Sequence, residues 1–281
     1  MPETTQPSTR TVLLDVAGLG TVALLLVGIH FLLPSSITQA LVFEYASFPS
    51  YTIFTAAFVH ASNAHLYGNL VGYALTIVYA YALSLHSHGL RWFRRTVLAS
   101  ILLVPILTNL TSYIILSLQY PETDPVSRGF SGVVAGFGGV LLVSLYRALR
   151  VKYNADLAWA VSLSLFLILM QLLDIQYRGG LSLIVTGLVG LAIILEFGRY
   201  LYEHDVRLQS RADLRRISAG GLLVTLVGIV LSILVLALFP QASSLVEDGN
   251  FTNIFAHIAG FLWGIVVAAV FVFLGGDRAP G

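Results

Sequence analysis

Three short stretches place residues capable of acyl-transfer chemistry at the mouths of apolar runs. Ser131 sits between Gly129-Phe130 and Gly132 in RGFSGVVAGFGG, residues 128–139. His257 opens NIFAHIAGFLWG, residues 253–264, with Gly260 and Gly264 after it. HASNAHLYGN, residues 60–69, carries His60, His65 and Asn69. A serine beside a neutral imidazole can be deprotonated as it attacks a carbonyl, with the histidine as general base. The oxyanion that forms needs donors, and the Ser131 backbone N–H, His65 and Asn69 are candidates. No acidic residue accompanies His257, so the chemistry expected is that of a Ser–His dyad. A dyad needs no metal or cofactor, and none is expected.

Each residue alone has a plainer explanation. Serine and glycine are enriched where membrane helices touch. A lone His257 would bond a carbonyl or a neighbouring helix, and His65 with Asn69 would form an interhelical hydrogen bond. What sets the three stretches apart is their depth, and depth depends on the helices that carry them.

The chain of 281 residues is 57% hydrophobic and 10% charged, with a mean hydropathy of +0.86. A soluble domain would carry roughly a quarter charged residues. The fold expected is all-α, a polytopic membrane bundle. Eight apolar runs of the length a bilayer requires lie at about 11–33, 63–85, 96–118, 129–149, 156–175, 180–201, 218–239 and 252–275. They leave a short N-terminal segment (1–10), one transmembrane domain (11–275) and a tail (276–281). The first run is read as a retained helix rather than a signal peptide. Gly179-Gly180 and Gly220-Gly221 are expected near span starts, where glycine costs little. There is no cysteine, hence no disulfide, and the net charge of +1 gives no reason to expect a nucleic-acid partner.

With the N-terminus inside, 13 of the 15 Lys and Arg fall on the cytoplasmic side, leaving Arg128 and Arg178 outside. Cytoplasmic loops are enriched in this way. Both termini are therefore expected in the cytoplasm of a cell-membrane protein. The first outer loop, about 34–62, has no Lys or Arg and is rich in aromatic residues, which suits the membrane interface.

This orientation delivers His65 and Asn69, Ser131 and His257 to one outer layer. His65 and Asn69, four residues apart, share a helix face. His257, Gly260, Gly264 and Ala268 share another. Gly132 with Gly136, and Ala135 with Gly139, form rows of small residues through which helices can approach closely. Such an approach would bring Ser131 Oγ within reach of His257.

Together these motifs resemble the rhomboid family of intramembrane serine proteases. The family's Gly-x-Ser-Gly reads here as Gly129-Phe130-Ser131-Gly132. Its His-x-x-x-Asn pair, preceded by another His, reads as His60 then His65 and Asn69. Its His-x-x-Gly-x-x-x-Gly reads as His257, Gly260 and Gly264. The resemblance implies a six-helix core, here with an inserted helix pair. It implies Ser131 as nucleophile, His257 as base, His65 and Asn69 at the oxyanion, and His60 steadying the first loop. It further implies transmembrane protein substrates cut near the outer face, with membrane lipids as the surroundings.

Three features depart from the family pattern. Three helices rather than one separate the serine and histidine helices. Tyr51-Thr52 stands where the family often has Trp-Arg. Ala135 stands where many members place an aromatic residue against the histidine, leaving Phe130 or Phe137 as candidates for that role. Two other functions compete: a catalytically inactive relative that binds or escorts membrane proteins, and a transporter or channel. The transporter is disfavoured because acidic residues concentrate at loops and span ends rather than mid-membrane.

The remaining polar residues read as structural. His86 and His88 join a cytoplasmic basic cluster, and His30 lies near the outer end of the first span. Asp174 with Arg178, and Glu196 with Arg199, are expected pairs. NFT at Asn250 is an outward-facing glycosylation sequon, whereas NLT at Asn109 lies inside a span.

Overall fold

The structure is a computed structural model, and it describes residues 7–87, 89–119, 126–204, 210–240, 246–247, 250–251 and 253–274. His88, the N-terminal residues 1–6 and the tail from 275 lie outside the described residues. Among those described, eight helices are long and apolar enough to cross a membrane. They are α1 (Thr9–Leu32), α4 (Asn63–His86), α5 (Leu90–Gln119), α6 (Ser131–Lys152), α7 (Ala155–Arg178), α8 (Leu183–Glu203), α9 (Arg211–Leu238) and α10 (Ile254–Leu274). The chain is an all-α polytopic bundle. Several helices outrun their apolar stretches: α5 begins at Leu90 and takes in Arg91, Arg94 and Arg95, and α9 begins at Arg211.

Helix ends follow local chemistry. Ser8, Ser62, Asn154, Ser182 and Ser210 cap α1, α4, α7, α8 and α9, each accepting a bond from an N–H in the first turn. Gly179 ends α7 in the left-handed conformation, φ 73°. Gly220, by contrast, lies within α9, and a Cβ there would strike the Tyr153 ring. The Tyr153 side chain lies against it there, away from the helix start.

α6 is the centre of the bundle, with 83% of its apolar window buried. Its neighbours are α4, α5, α7, α9 and α10. The α6–α10 contact is made by glycine. A Cβ on Gly260 would strike the Gly132 carbonyl oxygen, and one on Gly264 the Gly136 carbonyl oxygen. Two backbones touching in this way is what the rows of small residues permit. α5 closes the other side of α10, where Trp92 Nε1 donates to the Ala268 carbonyl (3.0 Å) and Trp263 Nε1 to Thr111 Oγ1 (3.0 Å).

The periphery is held differently. α1 has a single buried residue, Leu26, and polar bonds fasten it instead. Asp15 accepts two bonds from Arg94 (2.7 and 2.9 Å) and one from Tyr81 Oη (3.0 Å). His30 Nε2 bonds Asn63 Oδ1 at 2.8 Å, more than the interfacial place expected for it. α8 has no buried residue and packs chiefly against α7. The expected pairs form: Arg178 with Asp174 (2.6 Å), and Arg199 with both Glu196 and Glu203 (2.7 Å each).

The segment between α1 and α4 folds into two short helices, α2 (Ser35–Ala40) and α3 (Thr52–Thr55), and a strand, β1 (Phe43–Glu44). β1 pairs antiparallel with β2 (Val126–Ser127) just ahead of α6. The aromatic residues divide. Phe43, Tyr45 and Phe58 are buried in protein, and Phe48 stacks on Tyr113 of α5 at 4.4 Å, while Tyr51 is exposed. β3 (Val246–Glu247) and β4 (Asn250–Phe251) form a small hairpin ahead of α10. Thr252 of the sequon lies outside the described residues.

Candidate active site

Ser131 is the first residue of α6, and three contacts fix its approach. Gly129 N–H donates to the Ala56 carbonyl (2.9 Å), and Phe130 N–H to His60 Nε2 (3.4 Å). Gly129 itself takes φ 113°, where a side chain is strained, and a Cβ there would strike the His65 ring. Phe130, at the N-cap of α6, supplies no side-chain hydrogen bond to the helix. The N–H groups of its first turn have no intrahelical acceptors, and the helix dipole favours negative charge there.

His257 lies in the first turn of α10, where Asn253 Oδ1 accepts from Ala256 N–H at 3.1 Å. Its ring is buried and both nitrogens are engaged. Nδ1 donates to the Leu238 carbonyl at the end of α9 (2.6 Å), and Nε2 accepts from Ser131 Oγ (2.9 Å). The carbonyl can only accept, so the proton belongs on Nδ1 and the lone pair on Nε2 faces the serine. That is the arrangement required for a base that takes a hydroxyl proton.

On the opposite wall, α4 supplies His65 and Asn69. Ser62 Oγ accepts from His65 N–H (3.2 Å), which sets the start of that helix. The His65 ring lies against the Gly129 backbone. Asn69 is buried, and among the described residues its Nδ2 has no acceptor. A buried donor left unpaired is costly, so an acceptor brought to the Asn69 amide would be favoured. His60 stands behind them, its ring 5.2 Å from that of His65. Burial, then the neighbouring His65 and His30 rings, pushes its pKa down to about 3, so it is neutral and can accept from Phe130 N–H.

Several parts of this arrangement are supplied by residues that the motifs did not single out. Neither Phe130 nor Phe137 stacks on His257; Phe130 packs against Phe58 and Tyr73, and Phe137 against Tyr73. The aromatic neighbour is Phe239, edge-on at 5.6 Å and 86°. It follows Leu238 in the chain, so one turn of α9 supplies both the carbonyl and the ring. A lone aromatic at a helix end offers no periodic signal in sequence. Asn109 was similarly hidden: its Nδ2 donates to the Ile53 carbonyl (2.7 Å), and its Oδ1 accepts from Ser127 Oγ (2.7 Å). It joins the first loop and β2 to α5, and Asn253 Nδ2 adds a bond to Tyr45 Oη (3.1 Å). Among the described residues, Tyr51 Oη donates to the Ala40 carbonyl (3.5 Å) and Thr52 Oγ1 bonds Ser50 Oγ (3.0 Å).

A cleft of about 320 Å³ opens between α4 and α9, lined by Tyr67, Gly68 and Gly72 on one side and Leu234 and Leu238 on the other, with Val134 at its base. Its lining is almost wholly apolar. Among the described residues, one group has metal-ligating atoms within 4.8 Å of one another: Asp156, Glu203 and His204, where α7 begins and α8 ends. Glu203 is engaged there by Arg199. The group sits at the opposite end of the bundle from Ser131 and takes no part in the dyad.

No family model, curated protein or solved structure matches the chain.

Proposed function

We propose that this protein is an intramembrane serine endopeptidase of the rhomboid type. The observation that carries the proposal is the 2.9 Å contact of Ser131 Oγ with a His257 ring whose other nitrogen donates to a carbonyl. As Oγ attacks a substrate carbonyl, its proton passes to Nε2. The same proton then passes to the leaving amine, and an acyl-enzyme remains. Water, deprotonated by Nε2, cleaves the ester and regenerates the hydroxyl. The first N–H groups of α6, with His65 and the unpaired Asn69 amide, supply donors to the oxyanion.

On this reading α9 completes a six-helix core with α1, α4, α5, α6 and α10. The inserted pair is then α7 and α8, because α9 touches both α4 and α6 while α8 rests on α7. The active site lies toward the outer face, with both termini cytoplasmic. The apolar cleft between α4 and α9 gives a transmembrane substrate lateral access toward Ser131. Segments rich in glycine or other helix breakers should be preferred, because an intact helix hides its scissile carbonyl.

Purified protein incubated with a labelled transmembrane substrate should cleave it, and Ser131→Ala and His257→Ala should not. Equal cleavage by either variant would defeat the proposal. An escort protein without activity would bind the substrate and resist a fluorophosphonate probe.

A further inference from the structure

In a triad, a carboxylate fixes the histidine tautomer and supports the imidazolium that forms. Among the described residues His257 has no such partner, and its Nδ1 meets the Leu238 carbonyl instead. We propose that the last turn of α9 is the third component of this site and that it positions and sustains the base. The proposal rests on the peptidase reading and adds to it where the support of the base comes from.

Three observations converge on that turn. Phe239 N–H donates to the Val235 carbonyl (3.0 Å), which ties down the residue that follows Leu238. The Leu238 oxygen is one of the terminal carbonyls that no further helical N–H can reach. It lies at the negative end of a 28-residue helix, where a cation is favoured. The Phe239 ring meets the imidazole edge-on and limits its rotation about the Cβ–Cγ bond.

Without the carbonyl, the neutral ring is free to carry its proton on Nε2, which would then have no lone pair for Ser131. The carbonyl therefore selects the reactive tautomer. During attack it faces an Nδ1–H whose ring has become positive, and the bond strengthens as charge develops. The seat of α9 is set at a distance from the dyad. Leu234, one turn before Leu238, packs where α4 and α6 each present a glycine, Gly72 and Gly138. The position of α9 against those two helices thus decides whether Leu238 reaches Nδ1. Support for the base comes from a helix that carries neither catalytic residue. Leu238 and Phe239 are positioning residues; neither needs to touch the substrate.

Nitrogen-15 NMR of the full-length protein labelled at histidine tests this without altering the chain, with His257→Ala identifying the signal. The expected result is a proton on Nδ1 in a strong hydrogen bond. Phe239→Gly, which releases the turn, should lose that signal and slow both turnover and fluorophosphonate labelling by about tenfold. That is the upper range for one aromatic contact. KM should be unchanged, and Phe239→Tyr should restore the rate. An unfolding transition matching the wild type would show that Phe239→Gly is folded. Labelling of Ser131 with the proton found on Nε2 would overturn the role of α9 and leave the peptidase reading intact. A proton on Nδ1 with no labelling of the wild type would do the reverse. Wild-type turnover by Phe239→Gly would also overturn it.

Discussion

Ser131 Oγ and His257 Nε2 lie 2.9 Å apart across 126 residues of sequence, on helices whose backbones touch through glycine. Two groups that act as one unit do not contribute additively. Ser131→Ala and His257→Ala should each reduce cleavage by at least ~1000-fold, and the double variant should be no worse than either alone. Single-turnover cleavage of a transmembrane substrate by the three variants checks this.

The glycine contact makes a contrasting pair of predictions. Gly264→Ala drives a methyl into the Gly136 carbonyl, whereas Gly68→Ala meets nothing within 4 Å. The first should destabilise the bundle by about 1–3 kcal/mol, as overpacking does, and separate the dyad. The second should not destabilise it, since alanine is the better helix former and meets open space. Unfolding in a detergent titration measures both.

Gly129→Ala combines a strained backbone with a clash against His65. Activity should fall by more than tenfold, because a misplacement of about 1 Å at a reacting centre is enough for a hundredfold loss. Rates at saturating substrate would show whether kcat carries the loss.

Asn109→Ala leaves the Ile53 carbonyl and Ser127 hydroxyl without their partner. Breaking such a buried network costs about 1–3 kcal/mol. Hydrogen exchange should quicken across residues 43–58 and leave α7 and α8 unaffected.

His60 gives the stability a defined dependence on pH. Its pKa falls from 6.5 in the unfolded chain to about 3 in the native one. Between those values the unfolded chain binds the additional proton, so stability should decline as pH is lowered from 6.5 toward 3. Well above pH 7 both states are unprotonated at His60, and it contributes no slope. Unfolding curves of wild type and His60→Gln from pH 4 to 8 should converge in slope above pH 7 and diverge below 6, with the variant the flatter. Parallel slopes throughout would exclude His60 as the source.

Sequence alone determined the eight spans, because a run of about 20 apolar residues has one low-energy fate in a bilayer, a helix with its backbone bonds made internally. It also exposed the glycine rows of α6 and α10 and the polar residues that share a depth, since helical spacing is local information. Only the tertiary structure decided what meets His257 Nδ1. A backbone carbonyl carries no residue signature, so Leu238 is indistinguishable in sequence from any other leucine in an apolar run. Phe239 and Asn109 were hidden for a related reason: their partners lie on other helices, and the crossings that join them depend on how all the helices pack. The pairing of Ser131 with His257 is written in residue types, whereas the carbonyl that meets the other imidazole nitrogen depends on where α9 ends.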